Sequence, residues 1–68
     1  MITEIYPGEN ITRYKFTKGR RVVGACKDVE SPYYTWRLYV DKGNVTTFTN
    51  GQAKTEKGML KQVEEILK

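Results

Sequence analysis

The spacing of apolar residues along this chain changes period once, from two to about 3.6, near Thr55. After that point Met59, Leu60, Val63, Ile66 and Leu67 recur at helical spacing and form one apolar stripe. Lys57, Lys61, Gln62, Glu64, Glu65 and Lys68 occupy the other side. Thr55 supplies an N-cap hydroxyl, and Glu56 suits the positive end of the helix dipole. A helix this short is marginal alone, so it must dock to exist. Gly58 in its first turn costs about 1 kcal/mol against alanine; it is either a point of close approach to the sheet or simply tolerated, and we favour close approach.

The partner is a sheet. Thr17-Lys18-Gly19-Arg20 and Asp41-Lys42-Gly43-Asn44 each place a glycine where a hairpin needs positive φ, between runs rich in β-branched and aromatic residues. Pro32 disfavours helix at Ser31 and cannot donate to a central ladder, so Val29 to Pro32 is a further break. A two-residue loop at Lys18-Gly19 pairs Phe16 with Arg21 and Tyr14 with Val23, placing Tyr14, Phe16, Val23 and Ala25 on one face and Arg13, Lys15, Arg20 and Val22 on the other. In the next strand Tyr34, Trp36, Leu38 and Val40 alternate with Tyr33, Thr35, Arg37 and Tyr39. A tight second turn puts Val45 and Thr47 on the apolar side and Thr46 and Phe48 opposite, whereas a bulge at Gly43 reverses that strand. The expected fold is α+β, a small antiparallel sheet of three to four strands in two hairpins packed on one C-terminal helix, β-β-β-β-α. Within one domain, residues 1–10 read as an N-terminal extension, 11–50 as a β-meander and 55–68 as the helix.

Sixty-eight residues suffice for one domain with a single-layer core. The lone Cys26 rules out an internal disulfide, so packing alone must hold the fold. A free thiol, with no apolar stretch of secretory type between Met1 and Tyr6, points to a cytoplasmic setting. No apolar run is long enough to span a bilayer, and no membrane partner is expected.

The side-chain inventory argues against catalysis. There is no histidine, and neither Ser31 nor Cys26, each the only one of its type, has an imidazole partner. One thiol and scattered carboxylates make no zinc or calcium site, and no glycine-rich phosphate loop follows a strand. Asp28, Glu30 and Asp41 read as solvated turn residues. The chain is therefore expected to be no enzyme and to carry no cofactor or metal.

Charge carries the functional signal. The net charge is +4, and between Asn10 and Lys27 lie six basic residues and no acidic one. The remaining basic side chains mix with all eight carboxylates. The sheet face turned away from the helix gathers Arg13, Lys15, Arg20, Arg37, Tyr33, Tyr39 and, with a tight second turn, Phe48; Arg21 adjoins the same basic hairpin. Exposed rings stack on bases while Lys and Arg neutralise phosphates. Tyr, Thr and Arg are also what β-propensity selects on any half-exposed sheet, and basic residues discourage edge pairing.

The run Gly51-Gln52-Ala53-Lys54-Thr55-Glu56-Lys57, after two strands and before an apolar helix, resembles the closing part of a double-stranded-RNA-binding domain. That resemblance implies basic residues at the helix start holding phosphates. The family's leading helix has no counterpart here, and Glu56 interrupts the basic cluster. The expected function is a small non-enzymatic binding protein, with a nucleic acid or an acidic protein surface as partner, and Arg13, Lys15, Arg20, Arg21, Tyr33, Arg37 and Tyr39 as contacts. The alternative is a small inhibitor or regulator of the kind found in phages and mobile elements, acting through the same aromatic face or a sheet edge. The chain is expected to be a monomer or an edge-paired dimer.

Overall fold

A computed structural model describes the backbone of residues 1–42 and 45–68, and the side chains of residues 1–39 and 49–68. Strands β1 (Ile2–Tyr6), β2 (Ile11–Lys18), β3 (Arg21–Asp28), β4 (Tyr34–Lys42) and β5 (Val45–Ala53) form one antiparallel sheet in chain order, and helix α1 (Glu56–Ile66) follows. The α+β arrangement is as expected. The fifth strand is β1, drawn from residues read above as an extension, and it pairs along β2 from Ile2↔Thr17 to Tyr6↔Arg13. Its residues suit a strand, but all five are exposed, so no burial alternation marks it in the sequence.

The first hairpin turns at Gly19-Arg20, one residue later than expected, with Gly19 at φ +62°. A glycine in that first central position, followed by a residue at negative φ, is the preference of a type II′ turn. The slip re-pairs Phe16 with Val23 and Tyr14 with Ala25. Because pairing moves by two positions, the strand side chains keep their expected faces. Arg20 is the exception, since it now sits in the turn. At the second break, Asp28 organises the chain: its carboxylate accepts from the Glu30 amide at 2.9 Å and its carbonyl from the Ser31 amide at 3.0 Å. The β4–β5 pairing runs from Tyr34↔Ala53 to Lys42↔Val45, which is the register of a tight turn. The expected facings of Val40, Val45, Thr46, Thr47 and Phe48 lie outside the described side chains, as does the turn at residues 43–44.

The core lies between the sheet and α1. Tyr14 and Phe16 from β2, Val23 and Ala25 from β3, Leu38 from β4 and Ala53 from β5 meet Met59, Val63 and Leu67. Fully burying each large side chain contributes about 1.5–3 kcal/mol. Thr55 accepts from the Gly58 amide at 3.0 Å, the N-cap bond expected from the sequence. A Cβ on Gly58 would lie 3.1 Å from the Thr55 hydroxyl oxygen and 3.5 Å from the Ala53 Cβ, so the tighter contact is with the N-cap and the one with the sheet is ordinary van der Waals contact.

Among the described residues, polar contacts pin the helix to the sheet at three points. The Tyr14 hydroxyl donates to the Glu56 carboxylate at 2.8 Å, and the Trp36 indole donates to Gln62 Oε1 at 2.7 Å. At the far end, the Arg21 guanidinium donates to the Lys68 carbonyl at 3.1 Å and reaches that of Ile66 at 3.5 Å. A cation there complements the negative end of the helix dipole.

Candidate nucleic-acid interface

The sheet face opposite α1 is concave. Residues from all five strands, Tyr6 on β1, Arg13 and Lys15 on β2, Val22 and Cys26 on β3, Thr35, Arg37 and Tyr39 on β4, and Asn50 and Gln52 on β5, line one open hollow of about 870 Å³. The register orders them into rows across the strands. One row runs Glu4–Lys15–Gly24–Arg37–Asn50, and the next runs Tyr6–Arg13–Cys26–Thr35–Gln52. Val22 and Tyr39 pair in a third. Adjacent strands lie about 4.8 Å apart, so the Lys15 and Arg37 backbones flank Gly24 at about 10 Å from each other.

The chemistry of this surface is cationic and hydrogen-bonding, with rings at opposite corners. Arg13, Lys15 and Arg37 are exposed. Tyr39 keeps 42% of its surface exposed and Tyr6 keeps 54%. Asn50, Gln52 and Thr35 add exposed donors and acceptors on the β4–β5 side, and the Thr35 hydroxyl lies 3.3 Å from the Cys26 sulfur. At the β1 edge, the Tyr6 hydroxyl donates to Glu4, and that bond raises the tyrosine's pKa above its ordinary value.

The expected site residues divide. The fold brings Arg13, Lys15, Arg37 and Tyr39 onto one surface. Arg20 is exposed at the tip of the β2–β3 hairpin. Arg21 faces the helix side and is occupied by the carbonyls at the end of α1. Tyr33 is half-buried just ahead of β4, where its amide donates to Ser31 Oγ at 3.2 Å, and it does not line the hollow. The basic stretch of the sequence is thus split between two faces; Lys27 also lies on the helix side, 5.8 Å from the centre of the Tyr34 ring. Phe48 lies outside the described side chains.

Alternation places Cys26 on this face with Val22, whereas Tyr6, Asn50 and Gln52 are additions that the structure makes. Tyr6 required recognition of β1. Asn50 and Gln52 required the β4–β5 register, which two turn geometries left open. At the start of α1, Lys54 and Lys57 are exposed, while Glu56 between them is engaged by Tyr14.

Among the described residues, no three His, Cys, Asp or Glu side chains come together to hold a metal ion, and no helix is long and apolar enough to cross a membrane. No family model, curated protein or solved structure matches the chain.

Proposed function

We propose that this protein is a non-enzymatic binding module that holds nucleic acid on the concave outer face of its sheet. The observation that carries the reading is the convergence of Arg13, Lys15 and Arg37 with Tyr6 and Tyr39 on one continuous surface. Three cations neutralise phosphates and release counterions, while exposed rings offer stacking platforms. The test is a titration with short single- and double-stranded oligonucleotides at two salt concentrations, read by intrinsic fluorescence. Micromolar binding that weakens steeply with salt, and is lost in an Arg13/Lys15/Arg37 triple alanine variant, is the expected result. Absence of binding even at low salt overturns the reading.

One observation favours a second reading. Strand β1 is an edge, and Met1, Ile2, Ile5 and Tyr6 on or beside it are each more than half exposed. An exposed apolar edge is a template for strand addition by a protein partner or a second copy. Sedimentation of the chain alone, compared with an Ile5→Lys variant, tests the self-pairing form of this reading.

A further inference from the structure

Gly24 occupies the middle of β3, the central strand, paired with Lys15 on one side and Arg37 on the other. A glycine in a strand interior weakens the strand and commonly marks a bend or a close approach. Here neither the backbone nor the packing calls for one. Among the described glycines only Gly19 has positive φ. Among the described residues, a Cβ built on Gly24 would touch nothing closer than the Tyr39 ring at 3.9 Å, an ordinary van der Waals contact. Gly51, by contrast, has Trp36 in the place of its missing side chain. The described residues leave the space above Gly24 open in the middle of the concave face, bounded by Tyr39 and flanked by Lys15 and Arg37.

We infer that this opening is a subsite for one unstacked base of a single-stranded nucleic acid, lying over the bare Gly24 backbone against Tyr39, with Lys15 and Arg37 holding the adjoining phosphates. The inference rests on the nucleic-acid reading above and narrows it to single strands. Bases in a duplex are stacked and present only their edges in the grooves, so they cannot lie flat on a floor. A concave sheet also cannot enter a groove, whereas a single strand can lay its bases into the hollow one at a time. Asn50, beside Arg37 in the same row, supplies an amide within the same surface.

The test uses a fluorescein-labelled twelve-nucleotide oligo(dT) and a duplex of matching length, titrated into the full chain and into Gly24→Ala and Gly24→Val. The contact distances leave room for an added Cβ, so Gly24→Ala should fold, with a melting temperature at or above that of the parent, and a β-branched valine suits a strand position. The parent is expected to prefer the single strand by at least about tenfold. Gly24→Ala should weaken that binding by about threefold and Gly24→Val by about tenfold, with weak duplex binding unchanged. If the parent binds the single strand but both variants match it within twofold, the subsite falls and the nucleic-acid reading stands. Preference for the duplex has the same consequence. If the parent binds neither probe, both fall together. Should Gly24→Val fail to fold, Gly24→Ala and Tyr39→Ser decide the outcome on the same criteria.

Discussion

The Trp36 ring lies against Gly51 on the neighbouring strand, so closely that a Cβ there would fall 2.4 Å from Cζ2. The glycine therefore sets the position of the tryptophan, and with it the indole bond to Gln62 that ties β4 to α1. Gly51→Ala must push the ring away, at a cost of about 2 kcal/mol from overpacking together with strain on that bond. Urea denaturation followed by tryptophan fluorescence should show a lowered midpoint and an altered native emission maximum. An unchanged midpoint would mean the ring can move without cost.

Tyr14 is buried against Phe16, with ring centres 6.1 Å apart, and its hydroxyl donates to Glu56. Burial first, and then the hydrogen bond to the carboxylate, push its pKa up to about 12 from the ordinary 10.0. The folded chain thus keeps the phenol proton over a range in which the unfolded chain gives it up. Its contribution to stability is complete below about pH 10 and is lost as pH rises toward about 12. Tyr14→Phe should be less stable than the parent by about 1 kcal/mol at neutral pH. It should also lose stability less steeply between pH 10 and 12. Difference absorbance of tyrosinate should show the late-ionising component missing from the variant. Parallel stability curves for the two proteins across that range would refute the assignment.

Arg21 and Arg13 lie within one basic run yet face opposite sides of the sheet. Arg21→Ala removes the donors at the end of α1 and should cost about 0.5–1 kcal/mol, with faster amide exchange in the last helical turn. Its effect on oligonucleotide affinity should be within twofold. Arg13→Ala should do the reverse, leaving thermal stability nearly unchanged and flattening the salt dependence of binding. Equal losses of affinity in both variants would indicate that general charge, and not this surface, governs binding.

Phe16 and Met59 are fully buried on facing elements. Truncating Phe16 to alanine should cost about 3–5 kcal/mol. A domain of this size holds only about that much stability. Phe16→Ala should therefore lack a cooperative thermal transition, whereas Leu60→Ala, at a half-buried position, should retain one with a lower midpoint. A cooperative melt in Phe16→Ala would show a core larger than the one described.

Periodicity made α1 legible, because five apolar residues at helical spacing bury one stripe wherever the helix docks. It also made the inner faces of β2, β3 and β4 legible, and these faces survived a one-residue error in the first turn because the pairing moved by two. Strand β1 was not legible in this way. Ile2 to Tyr6 are exposed on both faces, so nothing in their order distinguishes a strand from a tail until β2 offers its edge. For the surface, Arg13, Lys15, Arg37 and Tyr39 could be grouped by alternation alone.

By itself, the sequence determined the class of fold, most of the residues that form its core and the absence of any histidine, because those follow from local spacing and from which side chains exist. Only the tertiary structure decided that Arg21 serves the helix end and that Tyr33 lies off the face. It alone brought Tyr6, Asn50 and Gln52 beside the cations and left Gly24 open at the centre of a curved floor. These are relations between strands. Register and curvature arise from pairing and twist across the sheet, and a sequence read one segment at a time carries neither.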